Sequence, residues 1–153
     1  MGGLEKILLS WQEFGVLSDK LKTEVKSKYN KEIDVVIGIA RGGLPISICL
    51  ANSLGTKWDS MRIKSYTGDG IRGKIELVYD VNTDLTDKII MLVDDIVDEG
   101  KTMQFAINYL NGKYRPKKIV TASIIVKPHS EFRPDDYVQE RSEWIVFPWE
   151  EEK

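Results

Sequence analysis

Cysteine and histidine are each present once in this 153-residue chain. Cys49 has no partner for an internal disulfide, so a reducing compartment, the cytoplasm, is expected. It falls in a predicted helix, where a thiol serves as a small buried apolar group. No apolar run approaches the ~18 residues of a membrane span. The first six residues lack the basic end and long apolar stretch of a secretion signal. Twenty-two basic and 24 acidic side chains leave a formal charge of −2. That balance gives no general attraction to nucleic acid or membrane, and neither is expected as a partner. There is no internal repeat and no low-complexity tract. One domain spanning 1–153, with chain enough for a sizeable core, is expected.

What is present centres on residues 88–102. Ile89 to Val93 form an unbroken apolar run, as in a strand buried in a parallel sheet. Asp94 and Asp95 follow at its carboxyl end. Asp98, Glu99, Gly100, Lys101 and Thr102 then lead into an apolar-periodic helix with Gly112 as its expected stop. Ligands of open α/β sheets bind in the crevice beyond the strand ends. A Gly turn opening a helix offers free backbone N–H groups to an anion. Carboxylates just before it suit sugar hydroxyls or a metal. The layout points to a phosphorylated sugar. Gly100-Lys101-Thr102 ends like a Walker A loop, but position 95 is Asp where that motif needs Gly.

Other stretches fit an alternating α/β chain. Ser10 and Glu13 make a capping-box pattern. Trp11, Phe14, Leu17, Leu21, Val25 and Tyr29 mark one helix face, with Trp11 and Phe14 expected in the core. Ile33 to Ala40 reads as a buried strand running into Arg41-Gly42-Gly43, with Pro45 opening a helix that ends at Gly55. Strands are expected at Trp58–Tyr66, Ile75–Tyr79, Lys118–Val126 and Trp144–Phe147. Residues 128–143 read as charged and turn-rich. Gly68, Gly70 and Gly73 match a dinucleotide fingerprint nominally, but strand propensity rather than a helix follows, so a hairpin-like mobile loop is expected. The sum is a doubly wound, mostly parallel sheet flanked by helices.

Val93-Asp94-Asp95-Ile96-Val97-Asp98-Glu99-Gly100-Lys101-Thr102 resembles the phosphoribosyl-pyrophosphate (PRPP) motif of type I phosphoribosyltransferases. The resemblance, over residues 33 to 150, implies that fold with a small carboxy-terminal hood drawn mainly from 128–153. It implies displacement of pyrophosphate from PRPP by a base nitrogen, with Mg²⁺ as cofactor. Asp94 and Asp95 would engage the ribose hydroxyls and, through them or through water, the metal. Asp98 resembles the general acid/base near purine N7, with helix capping as the plainer alternative. Asp98 to Thr102 would cradle the 5′-phosphate. Glu99 stands where many relatives have Ser or Thr, and is expected to point outward. Arg41-Gly42 resembles the pyrophosphate loop, in which relatives often carry a cis peptide. Lys64-Ser65-Tyr66 and the Gly-rich segment after them resemble a catalytic lid.

Base choice rests on later residues. Lys127 resembles the lysine that reads a purine 6-oxo group, since an ammonium only donates. Trp144 and Ile145 resemble the stacking and backbone element for the purine. Glu150 would reach a second Mg²⁺ through water. His129 is expected to be an ordinary loop residue. The reading is a salvage enzyme for hypoxanthine, guanine or xanthine. It would release the nucleoside monophosphate and pyrophosphate and assemble as a homodimer or homotetramer. An adenine or pyrimidine acceptor, or a PRPP- or nucleotide-sensing regulator on the same fold, are the alternatives.

Overall fold

In the computed structural model, residue 3 and residues 5–66 and 73–150 are described. The elements run β1 (Lys6–Leu8), α1 (Trp11–Tyr29), β2 (Val35–Ala40), α2 (Leu44–Leu54), β3 (Lys57–Ser65), β4 (Ile75–Tyr79), β5 (Ile89–Val97), α3 (Lys101–Tyr114), β6 (Lys118–Val126), β7 (Asp136–Glu140) and β8 (Trp144–Val146). Six strands make one sheet in the order β4-β3-β2-β5-β6-β7. Only the β3–β4 pairing in it is antiparallel.

Why the central strands lack polar alternation follows from the two faces. Side chains of a strand point alternately to opposite sides. Val36, Met91, Val93, Val120 and Ala122 pack with Leu21, Val25 and Leu50 of α1 and α2. Val35, Ile37, Ile39, Ile90 and Leu92 pack with Met103, Ala106 and Leu110 of α3. Both faces are covered, so every position of β2 is buried. A fully buried Leu or Val contributes roughly 1.5–3 kcal/mol, and Leu21 and Val25 are wholly buried.

Helix ends follow local chemistry. The Ser10 hydroxyl accepts from Glu13 N–H at 3.0 Å, and Glu13 Oε1 accepts from Ser10 N–H at 3.3 Å. Pro45 lies in the first turn of α2 and Gly55 closes it in the left-handed conformation. Gly112 does not stop α3. The helix continues to Tyr114 and is closed by Arg115 at φ 52°, because Tyr114 gains a hydrogen bond to Asp80 at 2.6 Å. Trp11 also departs from expectation: Phe14 is buried, but Trp11 is 61% exposed. Its ring lies 6.1 Å from that of Trp149.

Two strands went unread in the sequence. Residues 136–140 form β7, the sheet edge beside β6. Lys6–Leu8 form β1, which pairs in parallel with β8 as a separate two-stranded sheet. The small sheet therefore draws on both ends of the chain. β7 is polar but anchored: buried Asp136 accepts from Tyr29 Oη at 2.5 Å and Lys28 Nζ at 3.1 Å. Cys49 is half-buried in α2. Among the described residues no helix is long and apolar enough to cross a membrane.

Candidate active site

The carboxyl ends of β2 and β5 lie side by side, with Gly38 opposite Val93. The crevice beyond them holds a cavity of about 350 Å³ lined by Ser65, Tyr66, Asp94, Asp98, Glu99, Gly100, Lys101 and Thr102 among others. A second, more open groove is lined by Arg41, Gly42, Asp95, Trp149 and Glu150. Asp94 and Asp95 divide the two. Period-2 alternation sends these neighbours to opposite sides of the strand.

The acidic pair is electrostatically uncomfortable. Burial, and then the charge of Asp95, push the Asp94 carboxyl well above the usual range. Burial also raises Asp95, against its hydrogen bonds to Asp94 and to Ile96 N–H. The charge of Glu150 across the groove pushes it further the same way. Asp94 Oδ1 accepts from Asp95 N–H at 2.9 Å, and Asp95 Oδ1 from Ile96 N–H at 2.7 Å. Among the described residues no cationic side chain pairs with either. The Ala40–Arg41 peptide is cis, and the Gly42 backbone lies against the Asp95 carboxylate.

The loop from Asp98 to Thr102 hangs on Gly100. Its φ is 91°, a conformation open to glycine at little cost. A Cβ there would also collide with Phe132. Gly100 is the N-cap of α3 and supplies no side-chain cap, so the first N–H groups of the helix lack intrahelical partners. They face an anion favourably. Asp98 does not cap the helix. Its Oδ1 is 2.7 Å from His129 Nε2. Glu99, the irregular residue, is bridged by Lys101 Nζ at 2.9 Å.

Ser65 and Tyr66 reach the same cavity from the end of β3. The Tyr66 hydroxyl donates to Glu76 at 2.7 Å, which raises its pKa. The Lys64 and Lys74 ammonium groups stand 5.0 and 5.5 Å from its ring centre. Tyr66 N–H donates to Lys74 O at 2.9 Å and Gly73 N–H to Tyr66 O at 3.1 Å, closing the base of a hairpin. The expected Gly-rich lid lies for the most part outside the described residues, and the Gly68 and Gly70 positions with it.

Lys127 is 5% exposed. Its N–H donates to Val97 O at 2.9 Å, directly beside Asp98. Its ammonium donates to Glu143 O, which leaves two of three donors for another acceptor. Glu143 adjoins Trp144, which is 57% exposed, and buried Ile145. The structure thus links Asp98, Lys127 and Trp144 in a chain of neighbours. None of Lys127, Trp144 and Ile145 lines the two crevice cavities. His129, expected only as an ordinary loop residue, contacts Asp98, and Phe132, for which the sequence carries no expectation, packs on Gly100. No spacing or periodicity marks them, because a loop between strands brings them to the site.

Comparison with known proteins agrees with this geometry. The family described as the phosphoribosyl transferase domain matches residues 5–152. A hypoxanthine-guanine phosphoribosyltransferase of Lactococcus lactis is 31% identical, covering 86% of this chain and 74% of its own. That of Bacillus subtilis is 27% identical over 82% of this chain and 71% of its own. The crystal structure of a purine phosphoribosyltransferase from Pyrococcus horikoshii superposes with a TM-score of 0.85 at 34% identity. It covers 97% of this chain and 96% of that one. An acidic pair at a central strand's end, a glycine-led helix start and a match from end to end of the sheet place this chain in the phosphoribosyl transferase family.

Proposed function

We propose that this protein salvages 6-oxopurines, converting hypoxanthine, guanine or xanthine with PRPP to the nucleoside 5′-monophosphate and pyrophosphate. The observation that carries the reading is Lys127: a buried ammonium, fixed one residue from Asp98 across the β5–β6 pairing, with donors to spare. An ammonium cannot accept, so it favours an exocyclic oxygen over an amino group. The names of the relatives point the same way.

The residues divide the reaction between them. The free N–H groups of Gly100, Lys101 and Thr102 bind the 5′-phosphate. Asp94 and Asp95 accept from the ribose hydroxyls and stand near the carbon that becomes cationic as pyrophosphate leaves. Arg41 and Gly42 hold the pyrophosphate. Asp98 manages the proton at purine N7 while N9 bonds to the ribose. Trp144 stacks on the base and Ile145 contacts its edge. Ser65 and Tyr66 close the crevice against water.

The pair Asp94 and Asp95 fits Mg²⁺: hard oxygen donors whose carboxyls are pushed up first by burial, with no cationic side chain beside them among the described residues. No group of three or more candidate ligands occurs among the described residues. The ion would therefore share its shell with substrate oxygens, with Glu150 reaching a second one through water. When bound, Mg²⁺ neutralises charge on the leaving pyrophosphate. The chain would act as one domain, with the β1–β8 sheet and the 128–153 segment as its hood, in cytoplasmic homodimers or homotetramers.

A base panel tests the reading. Purified protein with PRPP and Mg²⁺ should release pyrophosphate with hypoxanthine, guanine or xanthine and far less with adenine or uracil. Turnover of adenine alone would contradict the substrate assignment. Tight PRPP binding without turnover of any base would favour a sensor instead.

A further inference from the structure

We propose that His129 is a positioning residue for Asp98, holding the carboxylate aimed at the purine. The proposal rests on the reading of Asp98 as the general acid/base given above. Asp98 follows β5 and is largely exposed, as is His129 after β6, yet His129 Nε2 lies 2.7 Å from Asp98 Oδ1. An ionised carboxylate only accepts, so the imidazole is the donor. The bond occupies one carboxylate oxygen and leaves the other to the base.

The β6–β7 loop is built to deliver this side chain. At one end, Lys127 N–H is tied to Val97 O, immediately before Asp98. At the other, Phe132 packs on Gly100, two residues after Asp98. Between them the loop is closed on itself. Ser130 N–H donates to Lys127 O at 3.1 Å, and the Ser130 hydroxyl donates to Phe132 O at 2.6 Å. Arg133 Nη1 donates to Lys127 O at 3.4 Å. His129 is thus fixed from both sides against the residue whose aim matters. A general base must lie within hydrogen-bond reach of its proton. An exposed aspartate with two free torsions meets that requirement only if something holds it.

Steady-state kinetics with PRPP, Mg²⁺ and the base the unaltered protein turns over fastest would test this. The set is His129→Phe, His129→Gln, Asp98→Asn and the His129→Phe/Asp98→Asn pair. His129→Phe should lower kcat about tenfold, with KM for PRPP within about twofold, because misaiming a reacting group costs rate more than binding. His129→Gln retains an N–H donor and should recover most of the rate. In the Asp98→Asn background, His129→Phe should add no further loss. Unchanged thermal melting would exclude a folding effect. Full activity of His129→Phe, equal losses in the Phe and Gln variants, or additive losses in the pair would each overturn the proposal. Impaired Asp98→Asn beside fully active His129→Phe sinks this inference alone. A fully active Asp98→Asn removes the acid/base reading and this proposal with it.

Discussion

A methyl group on Gly42 would overlap the carboxylate of Asp95. The two loops that face each other across the crevice are therefore in direct contact, one led by a cis peptide and the other by an acidic pair. Gly42→Ala must displace one of them. Overpacking of this kind costs about 1–3 kcal/mol, which should appear as a lower melting temperature. The displaced Asp95 and the shifted Arg41 peptide should weaken PRPP binding about tenfold or more, read by calorimetric titration. Adding Asp95→Ala should restore the melting temperature without restoring PRPP binding. Restored binding would show that Asp95 takes no part in the site.

Asp94 and Asp95 sit together with raised pKa values and no counter-charge among the described residues. A carboxyl raised in the folded state costs stability once the pH exceeds its unfolded value. Asp94→Asn with Asp95→Asn should therefore leave the ligand-free melting temperature at neutral pH unchanged or higher. The same variant should lose PRPP affinity. A melting temperature well below that of the unaltered protein would mean that the pair is structural.

Asp98→Asn should behave differently from that pair. It should lower kcat about 10²–10⁴-fold, the usual worth of a general acid/base, while PRPP affinity changes little. An unchanged rate would refute the assignment of Asp98.

How much of this was legible depended on where the information lies. Ile89 to Val93 and Val35 to Ala40 are continuous apolar runs because both faces of their strands are covered. The glycine turns beside them carry their own local chemistry. Hence the central sheet and the glycine turn that opens α3 could be read directly. β7 could not: Asp-Tyr-Val-Gln-Glu has no apolar run, and its place is set by Tyr29 and Lys28 from a helix over a hundred residues away. β1 is three residues long and exists through its pairing with β8. The partner of Asp98 was equally invisible, because a histidine in a polar loop carries no pattern. Glu99 was legible as an irregularity, but its resolution by Lys101 was not.

Asp80 offers a test of the stabilising chemistry away from the site. Burial pushes its carboxyl up, but the hydrogen bonds from Lys113, Tyr109 and Tyr114 outweigh this and bring it down to about 2. The three donors lie 2.7, 2.5 and 2.6 Å from one carboxylate oxygen. The folded state therefore prefers the ionised form. Its contribution is complete above the unfolded value of about 4 and is lost as the pH falls towards 2. Asp80→Asn should lower stability at pH 7 by about 1–2 kcal/mol, reduced from the full strength of charged bonds by solvent. The difference between the two proteins should shrink between pH 4 and pH 2 in urea titrations. A constant difference across that window would show that the carboxylate's charge is not what Tyr109, Tyr114 and Lys113 bind.

Glu99 puts a negative charge in the loop proposed to bind the 5′-phosphate, and Lys101 Nζ bridges it at 2.9 Å. Both side chains are well exposed, so the pair contributes at most about 1 kcal/mol to stability. Its value lies in the local field instead. With Lys101 removed, the Glu99 charge loses one offsetting ammonium and opposes the phosphate more strongly at a range where salt screens little. Lys101→Ala should therefore raise KM for PRPP about fivefold, with little change in melting temperature. Glu99→Thr in the same chain should reverse the loss, since it removes the charge that Lys101 offsets and keeps the backbone N–H that binds. If Lys101→Ala is equally harmful with and without Glu99→Thr, the ammonium acts on the phosphate directly. In that case the ion pair is incidental, and the lysine itself belongs to the phosphate site.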